Sequence, residues 1–202
     1  MSYFLKPIGI LNYIKSVSEW LIDYEKRVYK NKKIDISNHI EIYLDRKIDE
    51  IDFIDKRLKS DIKNSLCTLS QDLGAIPCHL VNTDFNPGNI LVNKNSTTII
   101  DWEKTEENGL IFWMASTFLR YIDRYSGRFG TSRKKVDLFK KSFLHTYLSN
   151  SIFKEHKLLF SVVYALENLT YISETTVYSN KPSRIQKNSL NEILRTLEIA
   201  KS

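Results

Sequence analysis

At Gly74 the spacing of apolar residues changes, and that change constrains the fold more than any other feature of the chain. Before it, Leu11, Ile14, Val17, Leu21, Tyr24 and Val28 recur every three or four positions, the period of one helix face. Ser37 and Asn38 can cap a second helix running through Ile48. Ile51, Ile54, Leu58, Ile62 and Leu66 mark a third. After Gly74 the apolar runs are short and bounded by turn residues. Cys78–Val81 suits a buried strand, and Ile90–Val92 and Thr97–Ile100 read as two strands of a hairpin turned by Asn93–Ser96. The hairpin puts Asn89 and Asp101 at the same end.

From Ile111 the helical period returns. It is expected over Ile111–Tyr125, over Val136–Leu148 and from Lys157 to Tyr171 or beyond, and Ser189 and Glu192 have the spacing of a capping box for a last helix. Glu103–Gly109 reads as a short acidic loop, and Ser126–Ser132, with Gly127 and Gly130, as the longest internal loop. With only 6 Gly and 4 Pro in 202 residues, little interrupts these helices. The expected class is α+β, mostly helical: a helical part over 1–75, a hairpin part over 76–103 and a helical part over 104–202.

Composition excludes several classes. Lys and Arg exceed Asp and Glu by 30 to 24, but the clusters Lys26-Arg27, Lys30–Lys33, Arg133–Lys135 and Lys140-Lys141 are scattered. No nucleic-acid motif accompanies them, and the aromatic residues fall on helical core faces, so no nucleic-acid partner is expected. Cys67 and Cys78 form neither a CxxC pair nor a disulfide framework, which suits free thiols in a reducing compartment and argues against zinc. Met1–Lys6 lacks the pattern of a signal peptide, and Leu110–Leu119 is too short to span a bilayer. No membrane association is expected, and the expected location is cytoplasmic.

The residues with chemistry lie in Val81-Asn82-Thr83-Asp84-Phe85-Asn86-Pro87-Gly88-Asn89-Ile90-Leu91-Val92 and in Thr97-Thr98-Ile99-Ile100-Asp101-Trp102-Glu103. A carboxylate on a fixed loop, Asp84, is placed to accept the proton of an attacking hydroxyl. The hard oxygens of Asn89 and Asp101, at one end of the hairpin, suit Mg²⁺, and Glu103 can add an outer contact. Taken singly these residues are ordinary turn and strand-end residues; their joint order carries the signal. His39, His145 and His156 lie in helical patterns away from this loop and read as ordinary surface or core residues.

Together the two segments resemble the catalytic loop and metal-binding segment of the aminoglycoside phosphotransferase and choline kinase family, small-molecule relatives of the protein kinases. The resemblance implies the C-terminal lobe of a protein-kinase-like fold, with Asp84 as catalytic base and Asn89 and Asp101 binding the Mg²⁺ and ATP cofactors. Trp102 takes the place of the Phe in the protein-kinase Asp-Phe-Gly segment. The family usually carries His where this chain has Asn82, whose amide can still bond the neighbouring backbone, and His79 stands three residues too early to replace it.

The family also has a β-rich N-terminal lobe with a Gly-rich loop and a Lys. Here only Gly9 and Gly74 precede the catalytic loop, so the N-terminal lobe is expected to be absent from the chain. A separately encoded N-lobe is one partner this implies; a small hydroxylated substrate is the other. Glu106, Glu107, Asp123, Glu167 and Glu174 are the acidic residues open to a cationic acceptor, although the net charge of +6 argues mildly against one. The expected activity is phosphoryl transfer to a small-molecule hydroxyl, with a non-catalytic binding or regulatory module as the alternative.

Overall fold

In the computed structural model, residues 7–37, 40–41, 47–93, 96–124, 132–176 and 182–201 are described. Six helices and five short strands are assigned among them: α1 (Pro7–Val28), β1 (Lys33–Asp35), α2 (Lys56–Gln71), β2 (Ala75–Asn82), β3 (Ile90–Val92), β4 (Thr97–Ile99), β5 (Thr105–Leu110), α3 (Trp113–Arg124), α4 (Arg133–Asn150), α5 (Lys157–Thr176) and α6 (Arg184–Lys201). The α+β, mostly helical class holds. The chain divides into two compact units, residues 1–30 with 79–157 and residues 31–78 with 158–202.

The first unit is built on α1. Ile14, Val17, Leu21 and Tyr24 are buried as their spacing predicts, and Ser18, Ile22 and Glu25 widen the buried face. α4 packs along α1 with Val136, Phe139, Phe143 and Tyr147 inward, and starts at Ser132, whose side chain accepts from the Lys135 amide. β3 and β4 form an antiparallel hairpin, Ile90 opposite Ile99 and Val92 opposite Thr97.

One expectation fails here. Thr105–Leu110 is a strand beside β2, where a loop over Glu103–Gly109 was expected. Its first four residues are exposed and mostly polar or charged, which hides a sheet edge from a hydrophobicity reading. Gly109 supplies the close approach: a Cβ there would lie 2.1 Å from Val81 Cγ2.

In the second unit α5 is buried on nearly every side from Leu159 to Ser173, the signature of a central helix. α2 begins at Lys56, capped by Asp55 accepting from the Leu58 amide, so Ile51 and Ile54 are buried in the preceding turns and not in the helix. It ends at Gln71, and the turn that follows closes at Gly74, whose φ of +58° is a conformation glycine adopts without strain. Within the part expected to be only helical, β1 pairs antiparallel with β2, Ile34 opposite Ile76. Three mostly exposed residues give no periodicity to read. β2 itself starts at Ala75, before the Cys78 expected, and holds Pro77. Cys78 donates to the Lys32 carbonyl, and the alternation of an antiparallel ladder turns the Pro77 nitrogen away from β1.

α6 starts six residues before the expected box. Ser183 and Gln186 form the reciprocal pair, with Gln186 Oε1 accepting from the Ser183 amide at 2.6 Å and Ser183 Oγ from the Gln186 amide at 3.2 Å. Ser189 is a buried interior residue. The helix expected from Ser37 to Ile48 and the loop expected over Ser126–Ser132 fall largely outside the described residues, and His39 lies outside them too. Among the described residues no helix is long and apolar enough to cross a membrane.

Candidate active site

β2 ends in a loop whose backbone is tied by its own asparagines. Asn82, the last strand residue, is fully buried; its Oδ1 accepts from the Asp84 amide at 2.8 Å. The Asp84 carbonyl accepts from the Asn86 amide at 2.8 Å, and Asn86 Oδ1 in turn accepts from the Gly88 amide at 2.8 Å. These side-chain-to-backbone closures favour a turn over a continued strand. Pro87–Asn89 then makes one 3₁₀ turn into β3.

The loop brings Asp84 and Asn89 together. Asn89 Nδ2 donates to the Asp84 carbonyl at 3.1 Å and lies 3.5 Å from its Oδ2, while Asn86 Nδ2 donates to Oδ1 at 3.1 Å. The half-buried Asp84 carboxylate is thus held by two neutral amides and keeps lone pairs for a substrate hydroxyl. Asn86 has no counterpart among the residues singled out from sequence. Its position two residues after an Asp and before Pro-Gly is the turn signal that marks it.

Across the hairpin, the Ile100 amide donates to the Asn89 carbonyl at 2.9 Å, which sets Asp101 one residue from the position opposite Asn89. Asp101 has φ of +61°, in the left-handed region where Asp is one of the tolerated residues. Asn82 Nδ2 donates to the Asp101 carbonyl at 2.9 Å. One side chain therefore reaches both segments expected to carry chemistry.

Aromatic rings back the same two segments. Trp20 stacks on Phe85, directly after Asp84, with ring centroids 5.7 Å apart, and lies 6.4 Å from Trp102, directly after Asp101. Tyr24 stacks on Trp20 at 4.9 Å, meets Trp102 at 5.7 Å and donates its hydroxyl to the Leu80 carbonyl. Burial pushes the Tyr24 phenol up to about 12, so it stays a donor. His79 is buried in β2 against Phe153 and Tyr24, away from the Asn82 position, and burial lowers its pKa.

The donor set suits a hard cation. With Nδ2 turned to Asp84, Asn89 Oδ1 has no protein partner among the described residues, and the Asp101 and Glu103 carboxylates are exposed with none. Among the described residues no three His, Cys, Asp or Glu side chains gather into a metal cage. Mg²⁺ is commonly held by one or two protein oxygens together with phosphate and water, so a partial set of this kind fits it. Of the acidic residues open to a cationic acceptor, Asp123 is engaged by Arg133 at 3.3 Å and Lys140 at 2.7 Å, and Glu167 is buried. Glu106, Glu107 and Glu174 are exposed.

Solved structures share this fold. Glucosamine kinase in complex with glucosamine, ADP and inorganic phosphate is similar at a TM-score of 0.62 and 9% sequence identity, over 96% of this chain and 54% of that one. Glucosamine kinase in crystal form B is similar at 0.62 and 11% identity, over 95% and 53%. The chain spans about half the length of these structures. No family model matches it, and no curated protein is similar to it in sequence.

Proposed function

We propose that the chain is the catalytic-loop part of a phosphotransferase that uses ATP and Mg²⁺ to phosphorylate a hydroxyl of a small molecule. The observation that carries this reading is the arrangement of Asp84, Asn89 and Asp101 around one turn and one hairpin, in a fold similar to glucosamine kinase. Phosphoryl transfer asks a protein mainly for position and electrostatics, and these residues offer both.

Asp84 is the proton acceptor: Asn86 and Asn89 fix its carboxylate, which orients the acceptor hydroxyl and takes its proton as the new P–O bond forms. Asn89 Oδ1 and the Asp101 carboxylate would hold Mg²⁺, with Glu103 as an outer contact. Bound there, Mg²⁺ supplies neutralisation of phosphate charge. The hairpin's outward face, which carries Asn89, also presents Leu91, 54% exposed, and Ile100, 42% exposed. An exposed apolar pair beside a cation site is the surface a purine ring can cover, and it gives ATP its place in the reading.

The acceptor is a small hydroxylated molecule. The glucosamine of the similar structure makes amino sugars the first class to try. The partner this reading proposes is a separately encoded β-rich lobe that would supply the Gly-rich phosphate loop. The test is Mg²⁺-dependent ADP formation over a panel of amino sugars, sugars, amino alcohols and aminoglycosides, with and without that lobe. ADP formation that requires an acceptor supports the enzyme. Nucleotide binding without turnover under every condition would leave the binding-module alternative.

A further inference from the structure

The net charge of the chain sits on one element. Residues 132–157, from the cap of α4 to the first residue of α5, hold seven Lys and Arg against two Asp and Glu, an excess of five out of the +6 of the whole chain. Arg133–Lys135 and Lys140-Lys141, separate clusters in the sequence, are gathered by this helix. Two of its cations face acids: Arg133 meets Asp123 at 3.3 Å and Asp137 at 3.1 Å, and Lys140 meets Asp123 at 2.7 Å. Lys134, Lys135 and Lys141 are exposed and have no acidic partner among the described residues. Opposite the buried line of Val136, Phe139, Phe143 and Tyr147 runs an exposed line of Lys134, Leu138, Lys141 and His145, at helical spacing. Leu138 is 54% exposed within that line, and Ile152 is 42% exposed on the turn beyond the helix.

Three kinds of occupant suit cations beside apolar side chains, and the pattern selects among them. A partner helix needs a continuous apolar stripe, yet Leu138 is followed on this line by Lys141, His145 and Ser149. A nucleic-acid strand is held by exposed aromatic platforms, whereas Phe139, Phe143 and Tyr147 of α4 are buried. Uncompensated Lys around an isolated aliphatic side chain, on a convex helix face, matches a flat anionic surface. The ammonium groups meet lipid phosphate and carboxylate while the aliphatic tip enters between the headgroups. We propose that this face of α4 docks the protein reversibly on an anionic lipid bilayer, through Lys134, Lys135 and Lys141, with Leu138 as the inserted side chain. Such a contact is peripheral and does not depend on the phosphotransferase reading. It reverses the expectation of no membrane association, which rested on cations that are scattered in the sequence but not on the helix.

The test sediments the full chain with vesicles of phosphatidylcholine, alone or with about 30% phosphatidylserine, at about 0.1 M salt. Each Lys held near an anionic leaflet is worth about fivefold in affinity. The phosphatidylserine vesicles should therefore bind about 100-fold more tightly than the neutral ones, and lose most of that advantage at about 0.5 M salt. Lys134→Gln combined with Lys141→Gln should weaken the binding by about 20- to 30-fold. Leu138→Gln, which leaves the net charge unchanged, should weaken it by about three- to tenfold, a loss that general attraction to a basic protein would not produce. All three positions are exposed, so both variants should keep the wild-type thermal midpoint. Equal binding to the two vesicle types, no binding to either, or wild-type binding by the Lys or the Leu variant would overturn the inference. So would tighter binding to a DNA duplex or to polyglutamate at the same salt, with Leu138→Gln as tight as wild type, which would assign the face to another polyanion.

Discussion

Glu25 accepts a hydrogen bond from the Ser151 hydroxyl at 2.7 Å, although 126 positions separate them, and its other carboxylate oxygen accepts from the Tyr147 hydroxyl. The contact ties α1 to the end of α4 with a carboxyl group that is only 2% exposed. No cation accompanies the two hydroxyls among the described residues, so burial dominates and pushes the Glu25 pKa up from 4.5 to about 7.

The first expected outcome is a pH-dependent stability. The folded state favours protonated Glu25, so its contribution is complete below the unfolded value of 4.5 and is lost as pH rises through about 7. Unfolding free energy measured in urea should fall by about 3 kcal/mol from this group between pH 4.5 and pH 8. Glu25→Gln should flatten that slope and be the more stable protein at pH 8. An unchanged slope in the variant would contradict the assignment.

A second outcome concerns Gly109. An added methyl meets Val81 Cγ2 at 2.1 Å, against a side chain that is 1% exposed and has no room to move. Gly109→Ala should cost about 1–3 kcal/mol in urea unfolding. Val81→Ala in the same chain should recover part of it, as a double-mutant cycle would show.

The fold was legible where burial is periodic. α1 and α4 announce themselves because Ile14, Val17 and Leu21, and then Val136, Phe139 and Phe143, repeat at helical spacing. β5 was not legible, since Thr105-Glu106-Glu107-Asn108 is an exposed edge whose pairing depends on Gly109 fitting against Val81. Nor was the start of α6: Ser183 with Gln186 and Ser189 with Glu192 have the same spacing, and Gln186 reaching Thr175 and Thr176 favours the earlier pair. In the site, the hairpin and the order Asp84, Asn89, Asp101 could be read directly. The link between them could not, because it consists of Asn82 bonding a carbonyl 19 positions away and Trp20 packing beside both Phe85 and Trp102.

The outward face of the hairpin gives a third outcome. Leu91 is 54% exposed, so Leu91→Asp should leave stability within about 0.5 kcal/mol of wild type. If a purine covers that face, ADP binding measured by calorimetry should weaken by about tenfold or more, the loss of one buried side-chain contact. Equal ADP affinity in both proteins would place the nucleotide elsewhere.

The central claim is that Asp84 accepts a proton during phosphoryl transfer, and the direct measurement is the rate of Mg²⁺-dependent ADP formation by wild type and Asp84→Asn. It is made with the β-rich lobe supplied and an amino sugar or another hydroxylated acceptor present. Asn keeps the side-chain volume and can still accept from Asn86, so the thermal midpoint should barely change. The acceptor-dependent rate should fall by about 10²- to 10⁴-fold, the usual weight of a positioned proton acceptor. An Asp84→Asn protein that folds normally and keeps the wild-type rate would contradict the account.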